Sequence, residues 1–66
     1  MQIILNGQQK NLDHNITLSA LLDSLNLQPD TVVVEINGRI IKPGQDPLPE
    51  LKDGDKVELI RFVGGG

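Results

Sequence analysis

The chain opens on Gln2-Ile3-Ile4-Leu5, an aliphatic run followed at once by Asn6-Gly7. That dipeptide supplies the positive φ angles of a two-residue hairpin turn, so Gln8–Leu12 is expected to return as a second strand. Gln8, Gln9, Lys10 and Asn11 make it polar on both faces, which suits an edge that must not recruit further strands. Asp13-His14-Asn15 reads as a connecting loop. From Thr17 the period changes: Leu18, Leu21, Leu22 and Leu25 stand at i, i+3, i+4 and i+7, one stripe of a short amphipathic helix. Thr17 is placed to cap its N-terminus. The helix should stop by Asn26–Gln28, because Pro29 disfavours helical geometry in the residue before it.

Thr31–Ile36 is β-branched almost throughout, and Asn37-Gly38 gives a second hairpin signal before a short strand, Arg39-Ile40-Ile41. Three prolines, Pro43, Pro47 and Pro49, make Lys42–Glu50 an irregular surface loop. Leu51–Asp55 reads as a turn and Lys56–Val63 as the closing strand. One helix serving about five strands is an α+β layer pair. A mixed sheet with the helix across one face and its first and last strands central and parallel is the ubiquitin-like β-grasp arrangement. That strand order comes by analogy and not from periodicity.

Period-two alternation assigns the faces. Ile3, Leu5, Val34, Ile36, Val57 and Leu59 should point inward to the helix leucines, with Glu35 and Glu58 pointing to water. The same phase puts Ile4, Val33, Ile60 and Phe62 on the uncovered face, four apolar residues that are candidates for a partner-docking patch.

The sequence has 66 residues, no cysteine, and a net charge of −3. It has room for one small domain, expected at residues 1–63 with a flexible glycine tail at 64–66, and for no disulfide or zinc-thiolate staple. No apolar run exceeds three residues, so neither a membrane-spanning helix nor a signal-peptide core can be drawn, and a cytoplasmic location is expected. Phe62 is the one aromatic ring and six basic residues are spread among nine acidic ones. Nucleic acid is therefore not an expected partner, and the acidic balance favours partners with basic surfaces.

No residue set reads as catalytic. His14 is a lone histidine in a polar loop with no visible nucleophile or carboxylate partner. Asp53-Gly54-Asp55 lacks the twelve-residue calcium loop and its closing Glu, so a turn with solvated carboxylates is expected and no metal site. Gly7, Gly38, Gly44 and Gly54 are isolated turn glycines, not a phosphate-binding loop. What remains is Gly64-Gly65-Gly66, into which the last strand runs without a charged tail.

Met1–Gly7, the Thr17–Leu25 helix, Val33-Val34-Glu35-Ile36-Asn37-Gly38, and Asp53–Ile60 leading to Val63-Gly64-Gly65-Gly66 together resemble the ThiS family, the small sulfur carriers of thiamine biosynthesis. The resemblance runs along essentially the whole chain. It implies a carrier and substrate, not an enzyme. Gly66 would be the site of sulfur attachment, as acyl-adenylate and then thiocarboxylate, with Gly64 and Gly65 threading the tail into a partner. It also implies three partners: an E1-like adenylating enzyme of the ThiF type using ATP and Mg²⁺, a cysteine desulfurase as sulfur donor, and a thiazole synthase of the ThiG type as acceptor. The chain itself would bind no cofactor. The small subunit of molybdopterin synthase shares fold and diglycine end but is usually longer, with prolines before that end where this chain has Arg61-Phe62-Val63. The proline-rich loop departs from a typical ThiS. A ubiquitin-like modifier, joined through Gly66 to lysines, and a plain β-grasp binding module are the competing readings.

Glycine at the tail has its own physical reason. Without Cβ the three residues can pass a narrow channel, and extended they reach roughly 10 Å. A terminal carboxylate, with an ordinary pKa of about 3.3–3.7, is ionised at neutral pH and a poor electrophile until activated.

Overall fold

Both Asn-Gly pairs form the turns expected of them. Asn6 and Gly7 have φ of 50° and 81°, and Asn37 and Gly38 have 52° and 86°, positive at both central positions as a primed hairpin turn requires. The computed structural model describes residues 1–12, 16–42 and 48–61. The expectations for His14, for residues 43–47 of the proline-rich loop, for Phe62 and for the glycines at 64–66 fall outside these residues.

The strands are β1 (Gln2–Leu5), β2 (Gln8–Asn11), β3 (Val32–Ile36), β4 (Arg39–Ile41) and β5 (Lys56–Arg61). They form one sheet in the order β2-β1-β5-β3-β4. β1 pairs with β5 in parallel and the other neighbours are antiparallel. The single helix, α1 (Leu18–Ser24), begins as predicted: the Thr17 hydroxyl accepts from the Ala20 N–H at 3.0 Å. This is the β-grasp order.

The helix stops where expected but for a different reason. Asn26 sits in the left-handed region at φ 58°. The Leu27 N–H donates to the Leu22 carbonyl at 2.9 Å and the Asn26 N–H to the Asp23 carbonyl at 3.0 Å. This crossed pair satisfies the last helical carbonyls, and asparagine tolerates the conformation better than most residues with a side chain. Pro29 instead opens a 3-10 turn, Pro29–Thr31. It takes Thr31 out of the strand assigned to it from the sequence.

The core comprises Ile3 of β1, Leu18, Leu21 and Leu22 of α1, Val32 and Val34 of β3, Ile41 of β4, Leu51, and Val57 of β5. Leu5, Leu25, Ile36 and Leu59, expected inside, are half-buried at its margin. Leu51 was expected in a turn and is buried. The segment before it is laced to the helix: the Leu18 N–H donates to the Pro49 carbonyl at 3.4 Å, and Thr17 and Glu50 form an isolated antiparallel bridge. That docking carries Leu48 and Leu51 onto the core, where a non-periodic stretch gave no signal.

Leu21 and Leu22 are both essentially fully buried. Replacing either with alanine is expected to remove about 2–5 kcal/mol, comparable to the few kcal/mol that hold so small a domain together. Either variant should be largely unfolded at 37 °C by circular dichroism. A melt matching that of the parent would show the helix stripe misassigned.

Candidate functional site

β5 ends at Arg61, five residues before Gly66 in the sequence, and is the last described strand before the glycines. It lies between β1 and β3 in the middle of the sheet, and asparagines from both hairpin turns reach over to it. The Asn6 Oδ1 accepts from the Leu59 N–H at 2.8 Å, and the Asn6 N–H donates to the Val57 carbonyl at 2.9 Å. At the start of the strand, the Asn37 Oδ1 accepts from the Lys56 N–H at 2.9 Å, and the Asn37 N–H donates to the Lys56 carbonyl at 2.8 Å. Each Asn-Gly pair thus turns one hairpin and clamps a second strand.

The Asn37 amide also donates to the Asp55 Oδ1 at 2.9 Å, and the Lys52 N–H donates to the Asp55 Oδ2 at 2.8 Å. Asp55 is only 9% exposed. This corrects the expectation of solvated carboxylates at 53–55. Asp53 is exposed, but its Oδ1 accepts from the Gln2 N–H at 2.7 Å, so both acids tie the turn into the sheet. Buried carboxylates persist only when their oxygens are satisfied, and here each Asp55 oxygen has a donor. The described residues contain no group of three or more potential metal ligands.

The open face of the sheet can be read from the register. Val33 lies opposite Ile60 and Glu35 opposite Glu58, while on the other side Glu35 lies opposite Ile40. Ile4 lies opposite Lys56, at the far end of β5. Val33 is half-buried, Ile4 is 41% exposed and Ile60 is 50% exposed. Of the four residues anticipated from alternation, the three described ones do not form one cluster. Val33 and Ile60 are direct neighbours, but Ile4 is set off by four residues along β5, about 13 Å at the strand rise, with Glu58 between. Ile40, 64% exposed, was not singled out from the sequence. Its pairing with Glu35 places it on the open face, diagonal to Val33, where side chains of this size still meet. The signal was present in the alternation of Arg39-Ile40-Ile41, but only with strand pairing known.

The family model described as "ThiS family" matches residues 3–66. The chain belongs to the ThiS family. It is similar over all 66 residues to a thiamine biosynthesis protein (ThiS) from Geobacter metallireducens, solved by crystallography, at 33% identity with a TM-score of 0.79 and complete coverage of both chains. The sulfur carrier protein ThiS of Bacillus subtilis is 42% identical over 50 residues, 76% of each chain. A thiazole synthase from Paramagnetospirillum magneticum is 35% identical across this whole chain, which spans about a fifth of that relative's length (20%). Within this ThiS-family chain no described helix is long and apolar enough to cross a membrane.

The asparagine clamps can be tested by separating hydrogen bond from backbone. Asn37→Gly keeps the positive φ but removes the amide, leaving the Lys56 N–H and an Asp55 oxygen short of a partner, at an expected cost of about 1–3 kcal/mol. Asn37→Ala should cost about 1 kcal/mol more, because alanine is strained in the left-handed region. Denaturant titration of both variants checks the order; equal stability of parent and Asn37→Gly would mean that the clamp contributes nothing.

Proposed function

We propose that this chain is a sulfur carrier in the formation of the thiamine thiazole, serving as substrate for other enzymes and catalysing nothing itself. The observation that carries the reading is the ThiS match, which runs through the glycines to Gly66, together with whole-chain likeness to a ThiS structure. The thiazole synthases that contain a segment similar to this chain support a synthase of that kind as the sulfur acceptor. They also favour the thiamine branch over molybdopterin synthesis.

In this reading the Gly66 α-carboxylate is the working group. Its ionised oxygen attacks the α-phosphorus of ATP on an E1-like, ThiF-type adenylating enzyme, with Mg²⁺ held there, and pyrophosphate leaves. The outer sulfur of a persulfide derived from a cysteine desulfurase then attacks the acyl carbon and displaces AMP to give an acyl disulfide, and a thiol reduces that S–S bond, forming a new disulfide and releasing the thiocarboxylate. Adenylation is needed because carboxylate oxygen is a poor leaving group, whereas AMP departs readily. Gly64 and Gly65 thread the channel to the nucleotide, and the open sheet face, with Val33 and Ile60, docks outside it. A cytoplasmic location accords with these partners.

Intact-protein mass spectrometry after incubation with such an enzyme, ATP, Mg²⁺ and a sulfur source should show the mass gain of oxygen replaced by sulfur. Amidating Gly66, or adding one residue after it, should abolish that gain while leaving the melting temperature unchanged. Gly65→Ala should slow adenylation by placing a Cβ in the channel. Sulfur uptake by the amidated protein would overturn the mechanism. Attachment to lysines of other proteins would instead identify a ubiquitin-like modifier.

A further inference from the structure

The dipeptide Asn-Gly occurs twice, at Asn6-Gly7 and Asn37-Gly38, and both pairs lie in exposed turns. An asparagine amide followed by glycine is chemically labile, because no Cβ crowds the glycine nitrogen and the backbone can bend it onto the side-chain carbonyl carbon. Asn11, Asn15 and Asn26 are each followed by leucine or isoleucine, whose branch shields that nitrogen. Beyond the adjoining residues, no atom lies within 4 Å of where a Cβ would stand on Gly7 or Gly38, so packing protects neither turn. What differs is the hold on the asparagine side chain. Asn37 is held at both ends: its Oδ1 accepts from the Lys56 N–H at 2.9 Å and its Nδ2 donates to the Asp55 Oδ1 at 2.9 Å. Asn6 is held at one end, where its Oδ1 accepts from the Leu59 N–H at 2.8 Å, and among the described residues its Nδ2 has no hydrogen-bond partner.

We propose that Asn6 is a site of spontaneous hydrolytic deamidation in the folded protein, that Asn37 is protected by its bond to Asp55, and that conversion of Asn37 releases the start of β5. The proposal is independent of the carrier reading. The chemistry needs only water. The glycine nitrogen attacks the asparagine Cγ and a C–N bond forms. The proton it gives up passes to the side-chain nitrogen, whose bond to Cγ breaks, and ammonia leaves behind a five-membered succinimide. Water then opens the ring to aspartate, or to isoaspartate with the main chain rerouted through Cβ. At either site the side chain must first rotate off its Oδ1 bond. At Asn37 it must also leave a carboxylate, and charge-assisted bonds are the stronger class. While that bond stands it feeds electron density into the amide and makes Cγ a poorer electrophile. The products differ too. An aspartate at position 6 still accepts from the Leu59 N–H, now as a charged acceptor. An aspartate at position 37 puts an oxygen where the donor was, facing the nearly buried Asp55 carboxylate at hydrogen-bond distance. Two carboxylates that close disfavour each other's charge, and Asp55 loses the donor that satisfied it.

The test is a time course of the parent protein at room temperature in mildly alkaline buffer, run folded and, in parallel, unfolded in guanidinium chloride. Peptide mapping by mass spectrometry reads deamidation at each site. In the folded protein position 6 is expected to react at least about tenfold faster than position 37, the rate equivalent of one extra hydrogen bond to a charged group. In guanidinium the two rates should converge, because the tertiary bonds are gone. Thermal melts of Asn6→Asp and Asn37→Asp read the consequence: the first should melt within about 4 °C of the parent and the second at least about 8 °C lower. Equal rates in the folded protein, a faster reaction at Asn37, or the same ratio folded and unfolded would overturn the proposal, since the structure would then not set the order. An Asn37→Asp melt as high as that of Asn6→Asp would remove the release of β5. An Asn37→Asp chain that fails to fold is the extreme of the expected loss, whereas an Asn6→Asp chain that fails to fold contradicts the proposal.

Discussion

The parallel pairing of β1 with β5 is the constraint on which the rest of the molecule depends. It joins the two ends of the sequence in the middle of the sheet, and parallel neighbours cannot be linked by a tight turn. Everything between them, the β2 return, the helix, β3 and β4, is the crossover that such a pair requires. Only Ile4 and Leu5 are in register with Lys56 and Val57. Two aligned pairs are a short ladder, and side-chain hydrogen bonds from Asn6 and Asn37 extend β5's attachment beyond it. The buried Asp55, bonded to Asn37 and to the Lys52 N–H, closes the same junction from below. A polar network in this position specifies register as well as adding stability, because a slip by one residue would leave Asp55 buried without donors.

That junction links fold to function. A carrier that works with other enzymes needs a rigid body, and β5, the last described strand, is held in the centre of the sheet by both neighbours and by the two asparagines. Among the described residues the helix covers one face of the sheet and leaves the other open, so buried and exposed apolar side chains sit back to back on the same strands. On β3 and β5 alternate residues serve one or the other: Val34 and Val57 are buried against the helix, while Val33 and Ile60 face out. Residues of the outer face can therefore vary in polarity with little effect on the core, and Glu35 and Glu58 stand opposite one another there.

The helix terminus shows how two sequence signals compete. Pro29 forbids helical geometry just upstream, yet the chain has already turned at Asn26, three residues earlier, because Leu27 folds back onto the helix end and packs against the core. Proline then serves the next element, starting the 3-10 turn that delivers Val32 to the sheet. The local rule located the boundary correctly, and packing chose the residue that makes it.

The sequence by itself determined the elements and the two turns, because alternation, the leucine stripe and Asn-Gly are local patterns whose meaning does not depend on distant residues. It also carried the family resemblance, in motifs spread along the whole chain. Only the tertiary structure decided which strands are neighbours, and with them whether Ile4 joins Ile60, whether Ile40 belongs to the open face, and whether Glu35 opposes Glu58. It alone showed that Leu51 is core and that Asp55 is buried. Each of these depends on pairing between segments far apart in the chain. The pattern within a strand sets which face a residue takes, whereas its neighbours on that face follow from register, a non-local quantity fixed here by hydrogen bonds from turn asparagines to a strand about twenty to fifty residues away.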